Sequence, residues 1–218
     1  MITKDAKRIA IFGASGSGKS TLAKQLLKER DYVIVFDPLM EYAQRTGYVK
    51  AETQVELVRQ LKRRWFQKRF HIAYCPRNGA DYPRELHEIS GILVRLRHAY
   101  FSGLDRRKMT LVVEEMNLSY PVSGLKPDMT GFRDLCSRGR HYGVEVIGIS
   151  QRMAEVNTNF RGNASETYFL RLAEHNDLTA ARKVMGPVWV DTLRSLPKFS
   201  YLKRSEDGRI EAGKVTRR

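Results

Sequence analysis

Between an apolar run, Ile9-Ala10-Ile11-Phe12, and a helical pattern from Thr21 to Leu27, the chain reads Gly13-Ala14-Ser15-Gly16-Ser17-Gly18-Lys19-Ser20-Thr21. No other stretch restricts the fold so tightly. The spacing G-x-x-x-x-G-K-[ST] between a buried strand and a helix is that of a phosphate-binding loop. Glycines let the turn close so that successive backbone N–H groups converge on one anion, and the helix starting near Gly18 aims its positive end at the same place. Lys19 is expected on the β- and γ-phosphates and Ser20 on Mg²⁺, which makes ATP and Mg²⁺ the predicted bound species. A Gly/Ser-rich turn that binds nothing is the alternative, and the flanking strand and helix argue against it.

The rest of the chain alternates strands with helices, which predicts an α/β fold with a mainly parallel central sheet flanked by helices. Further strands are expected at 32–36, 70–74, 109–113, 144–149 and 167–171. Helices are expected at about 52–69, 84–101 and 128–140, with two short ones at 176–185 and 187–195. Asp207-Gly208 reads as the turn of a hairpin joining 199–203 to 209–211. The organisation is therefore a main domain over 1–198, followed at 199–218 by a hairpin and a basic tail. At 218 residues the chain is long enough for one well-buried domain.

Thirty-nine Lys and Arg stand against 24 Asp and Glu, a formal net charge of +15 that favours a polyanionic partner. Cys75 and Cys136 are isolated, and the five histidines lack ligand spacing, which argues against zinc and against a disulfide framework. A reducing compartment fits this usage. The N-terminus shows no signal-peptide pattern, and no apolar run nears the roughly 20 residues that cross a bilayer.

A second constellation accompanies the loop. Leu111-Val112-Val113 runs into Glu114-Glu115, an apolar strand ending in two acids. Neighbouring side chains leave a strand end in different directions, so the pair can divide its roles. Glu114 is assigned to the metal, and Glu115 to orienting and polarising the attacking water. Strand 144–149 ends in Ser150-Gln151, where an open α/β sheet places ligand contacts, so Gln151 is positioned to sense the γ-phosphate or the water. Asp37 and Glu41 follow strand 32–36; a carboxylate there either orients the water network or meets a neighbouring subunit, or Asp37-Pro38 simply makes a turn. Arg133, Arg138, Arg140 and Arg152 are candidates for an arginine that reaches a neighbouring subunit's site.

Together these segments resemble the HerA/FtsK group of P-loop ATPases. Gly13 to Thr21 is similar to its Walker A motif, Tyr32 to Pro38 to its modified second-strand motif, and Leu111 to Glu115 to Walker B. Gly139 to Arg152 is similar to the helix, strand and glutamine sensor segment, the most discriminating of the four. The resemblance covers about 8–172. It departs at Glu114, where the group usually has Asp. It implies a RecA-like fold of the additional-strand, catalytic-glutamate type. The short length points to the genome-packaging ATPases of membrane-containing double-jelly-roll viruses, such as the tectiviruses. The implied activity is that of an ATP-driven DNA translocase, working as a ring, a hexamer by the resemblance, on double-stranded DNA. Arg138 or Arg140 would act in trans, and capsid-vertex or portal proteins would be partners. The implied location is the host cell cytoplasm or the virion vertex. Arg63, Arg64, Lys68 and Arg77 are the candidate DNA contacts. The alternatives are a small-molecule or nucleotide kinase, and a nucleotide-gated phage assembly protein of the Zot kind.

Overall fold

The computed structural model describes residues 6–216; of the basic tail, Arg217 and Arg218 lie outside them. The strands are β1 (Arg8–Phe12), β2 (Tyr32–Phe36), β3 (Tyr48–Ala51), β4 (Phe70–Tyr74), β5 (Met109–Val113), β6 (Val144–Ser150), β7 (Glu166–Phe169), β8 (Ser200–Ser205) and β9 (Ile210–Lys214). The helices are α1 (Lys19–Leu27), α2 (Gln54–Arg64), α3 (Tyr82–Leu96), α4 (His98–Phe101), α5 (Met116–Ser119), α6 (Gly131–Arg138), α7 (Thr158–Gly162), α8 (His175–Met185) and α9 (Val190–Ser195). The strands form a mixed, mostly parallel sheet in the order β3-β4-β2-β5-β6-β1-β7-β8-β9. This is the P-loop α/β architecture expected from the alternation of strands and helices.

The chain divides into two compact units. The first holds the described residues up to Lys7, Glu29–Glu114 and Leu125–Val146. Within it, β3 pairs with β4, β4 with β2 and β2 with β5, all parallel. The β-branched runs of β2 and β5 are buried throughout Val33–Phe36 and Leu111–Val113, as parallel strands covered on both faces must be. Leu57 and Leu61 of α2, with Leu86, Ile89 and Leu93 of α3, supply the helical side of this core. Local signals start the helices. The Thr53 hydroxyl accepts the Glu56 amide at 3.2 Å at the start of α2, and the Asp81 carboxylate accepts the Arg84 amide at 3.1 Å at the start of α3.

Two expected helices end early for visible reasons. The helix expected over 52–69 stops at Arg64, because the Gln67 amide turns back to the Arg64 carbonyl and the Phe70 amide joins the Asp31 carbonyl to begin β4. The helix expected over 84–101 breaks at Arg97 into α3 and α4. Arg97 is buried to 1% exposure. Its guanidinium bonds Asp105 Oδ2 at 2.8 Å, the Tyr142 carbonyl at 3.2 Å and the Arg107 carbonyl, and lies 5.0 Å from the centre of the Tyr100 ring. Arg107 holds the same carboxylate at 3.0 Å, donates to the Trp65 carbonyl at 2.6 Å and stacks over the Trp65 ring. Burial favours the neutral acid, but the hydrogen bonds from Arg107 and the charge of Arg97 outweigh it and hold Asp105 at about 2.

The second unit holds Arg8–Lys28, Glu115–Gly124 and the described residues from Ile147 onward. Here β1 pairs with β7 in parallel, and β8 and β9 extend from β7 antiparallel. The hairpin expected across Asp207-Gly208 forms, with Arg204 opposite Ile210. Ile9–Phe12, Leu22, Ala23, Met116, Phe160 and Phe169 are among its buried apolar side chains. Among the described residues, no helix is long and apolar enough to cross a membrane.

Candidate active site

The glycine-rich loop leaves β1 in the second unit and is tied from behind to the end of β7. The Leu170 amide donates to the Phe12 carbonyl and the Ala14 amide to the Arg171 carbonyl, both at 2.8 Å. Gly16 and Gly18 have φ of 69° and 113°, values that glycine adopts without a Cβ penalty. Gly18 is the N-cap of α1, and the first turn of that helix carries no acidic residue. The leading amides of a helix have no intrahelical partner, and here the N-cap glycine offers them no side-chain acceptor. Lys19 is buried to 8% exposure, with Nζ on the Ala14 carbonyl at 3.2 Å. The Ser17 hydroxyl is buried with no hydrogen-bond partner among the described residues. Ser15 and Gly16 are exposed, while Ser20 and Thr21 are half-buried on the first turn of α1. A glycine-capped helix start, an inward ammonium and an unsatisfied hydroxyl together fit a bound phosphate group.

Glu115 belongs to the same unit and sits between β5 and α5 with φ 42° and ψ 55°. A non-glycine residue in this left-handed region carries backbone strain of roughly 1–2 kcal/mol. Its Oε1 accepts a hydrogen bond from Gln151 Nε2 at 2.9 Å. The end of β6 is pinned to α5: the buried Ser150 hydroxyl donates to Asn117 Oδ1 at 2.8 Å and accepts from the Arg152 amide at 3.1 Å. The structure thus brings together two residues, Glu115 and Gln151, that stand 36 positions apart. Arg152 lies 3.4 Å from both Glu155 and Asp177, and 3.5 Å from Glu174. Its charge is matched within its own chain, so of the four arginine candidates it is the least suited to reach a neighbour.

The first unit holds the other acid. Glu114 is 5% exposed and follows β5, its amide bonded to the Phe36 carbonyl at 3.1 Å. The buried Tyr42 hydroxyl lies beside its carboxylate; burial first, and then the Glu114 charge, push the Tyr42 pKa well up, so the phenol keeps its proton. Asp37 is fully buried and accepts the amides of Glu41, Tyr42 and Ala43 at 2.9, 2.9 and 3.0 Å. Of the readings given for Asp37, the structure favours the turn: its carboxylate folds residues 38–43 and thereby delivers Tyr42 to Glu114. The Cys75 thiol lies 3.8 Å from Asp37 and is pushed up to about 12 by burial and by that charge, which leaves it an inert thiol. Tyr42 was not singled out in the sequence, where nothing distinguishes it from the other nine tyrosines.

The remaining candidates are surface residues of the first unit. Arg138 ends α6, Arg140 lies in the 3-10 turn Gly139–Tyr142, and both are exposed. Among the described residues neither has an ion-pair partner. Arg63 and Arg64 close α2, with Arg63 exposed and Arg64 near Gln60. Lys68 and Arg77 are exposed on connecting segments. Among the described residues no group of three or more His, Cys, Asp or Glu could hold a metal unaided. Hydroxyl and carboxylate oxygens such as those of Ser20 and Glu114 are the donor type that magnesium takes, one or two at a time and together with phosphate oxygens.

Comparison with known proteins adds the family. No curated protein sequence matches this chain. Among solved structures, the chain is similar to the genome packaging NTPase B204 from Sulfolobus turreted icosahedral virus 2, in a complex with AMPPCP. The TM-score is 0.72 at 18% identity, covering 97% of this chain and 98% of that one. It is also similar to VirB4 of Thermoanaerobacter pseudethanolicus, with TM-score 0.69, 15% identity and coverage of 97% and 89%. A third likeness is to the cytoplasmic domain of the Thermomonospora curvata type VII secretion ATPase EccC, with TM-score 0.60, 19% identity and coverage of 95% and 25%. These likenesses establish the P-loop ATPase fold. The model of the family described as "Helicase HerA, central domain" matches residues 3–117. The chain therefore belongs to the HerA central-domain family and is a P-loop ATPase of the HerA/FtsK type.

Proposed function

We propose that this protein is an ATP-driven motor that translocates double-stranded DNA, and that its task is packaging a viral genome. In this reading the loop from Gly13 to Thr21 cradles the triphosphate with its backbone amides, and Lys19 leaves the Ala14 carbonyl for the β- and γ-phosphates. Ser20 and Glu114 would hold Mg²⁺, which when bound neutralises charge on the phosphate oxygens. Tyr42 orients the Glu114 carboxylate by donating to it. Glu115 takes the proton of the attacking water. Gln151, on the same carboxylate, holds it in line and senses the γ-phosphate. Arg138 or Arg140 is contributed to a neighbouring subunit in a hexameric ring. Arg63, Arg64, Lys68 and Arg77 supply cationic contacts to DNA phosphates. A capsid-vertex or portal protein is the docking partner, with the motor acting in the host cytoplasm or at the virion vertex.

The observation that carries this reading is the Glu115–Gln151 hydrogen bond. A strained glutamate fixed by a neutral amide, in the unit that also bears the loop, suits transfer of phosphate to water; a kinase has no use for that pairing. The net charge of +15 and the near-complete span of B204, itself described as a genome packaging NTPase, support the choice of DNA and of packaging. The test is inorganic phosphate release measured across protein concentration, with and without linear duplex DNA. A motor with an arginine in trans gives specific activity that rises as particles assemble and rises again with DNA. Specific activity that stays flat while light scattering shows assembly defeats the trans arginine, and indifference to DNA defeats translocation.

A further inference from the structure

Phe199 stands just before β8 with φ 63°. Among the described residues only Met40 and Glu115 share that left-handed backbone without being glycine. It is a costly conformation for a bulky aromatic residue, and such strain persists only where surrounding contacts over-determine it. Here those contacts lead to the loop. The Phe199 amide donates to the Ser17 carbonyl at 3.0 Å. A Cβ placed on Gly18 would lie 2.8 Å from the Phe199 ring, so the ring packs directly against the N-cap of α1. The Phe199 carbonyl in turn accepts the Val215 amide at 2.7 Å, and the Thr216 amide reaches Gln25 on α1 at 3.2 Å. Both ends of the 199–216 hairpin are therefore fastened to the loop or to the helix it starts. All of these residues belong to the second unit.

We infer that Phe199 is a positioning residue for the phosphate loop, and that the C-terminal hairpin sets nucleotide affinity through it. The inference rests on the reading of the loop as a nucleotide site. Its physical content is simple. The loop must present its amides in one arrangement, and two of its bonds, at Ser17 and around Gly18, rotate easily in the absence of a backing group. The ring and the amide of Phe199 remove that freedom before the ligand arrives, so less ordering remains to be done on binding.

Calorimetric titration of the full-length chain with AMPPCP, which needs no turnover, tests it. Phe199→Ala is expected to weaken binding about tenfold. Phe199→Leu, which keeps an apolar side chain over Gly18, is expected to stay within threefold of the parent. Asp207→Ala loosens the hairpin turn, where Asp207 bonds Arg209, and is expected to leave affinity unchanged. Equal affinity of Phe199→Ala and the parent overturns the inference, as does an equal loss in Asp207→Ala. Should Phe199→Ala fail to fold, hydrogen exchange on the unmodified chain decides: AMPPCP is expected to slow exchange of the Phe199 amide more than that of Arg209, and equal changes at the two overturn the inference. A parent chain that takes up no AMPPCP overturns the nucleotide site itself, a separate outcome.

Discussion

The Arg97–Asp105–Arg107 cluster and the Glu115–Gln151 pair both hold charge against protein, and they are built on different plans. In the first, two guanidiniums converge on one carboxylate, and three backbone carbonyls and two aromatic rings take up the rest of their surface. Little is left for a ligand to satisfy. In the second, a strained glutamate accepts an amide donor from Gln151, and the loop in the same unit has an unsatisfied buried hydroxyl at Ser17 and a glycine N-cap that offers no side chain. The first arrangement holds the fold together; the second is the one assigned above to the chemistry. Arginine count alone does not separate the two, because Arg97 and Arg152 look no different in sequence from Arg138 and Arg140.

Four substitutions or conditions would break or sharpen that contrast. The largest effect belongs to Glu115→Gln, which should lower ATP turnover by roughly 10²- to 10⁴-fold while leaving the melting temperature within a few degrees. A variant that hydrolyses at the parental rate removes Glu115 from the chemistry. Next comes Arg97→Ala, expected to cost about 3 kcal/mol in urea denaturation, because it strips a fully buried cation from Asp105; a loss under 1 kcal/mol would show the cluster to be loosely held. Acid should act on the same cluster. Asp105 has its folded pKa depressed from 3.8 to about 2, so its contribution is complete above about pH 4 and is lost as the pH falls toward 2. That contribution is on the order of 2 kcal/mol, and it should vanish from the acid limb of the stability curve in Asp105→Asn. The smallest effect is that of Gln151→Ala, about tenfold on turnover with nucleotide affinity unchanged, since it removes one hydrogen bond from an amide to the Glu115 carboxylate, worth about 1.5 kcal/mol.

The sequence is most informative where backbone chemistry dictates the outcome. A loop with glycines at 16 and 18 has to turn with positive φ, and the runs 32–36, 70–74 and 109–113 are too apolar and β-branched to be anything but covered strands. The positions of the candidate residues at strand ends were legible for the same reason, because Glu114-Glu115 follow the run 109–113 and Gln151 comes just after the apolar run 144–149. What could not be read depends on tertiary contact. Strand β3 is four residues long and acquires its shape only beside β4. The break at Arg97 interrupts an unbroken helical pattern because a buried carboxylate lies eight residues downstream. Nothing in the letters around Phe199 announces a left-handed aromatic, since that backbone is imposed by the loop it touches.

The clamp formed by Asp37 also bears on how this protein can be handled. Three consecutive amides on one carboxylate fix the length of the stretch from Pro38 to Ala43. One added or deleted residue there would swing the tyrosine off its acidic partner. A fluorophore or affinity tag inserted at that bend would thus silence the molecule it was meant to report on, whereas the exposed Asp207-Gly208 tip offers a harmless attachment point.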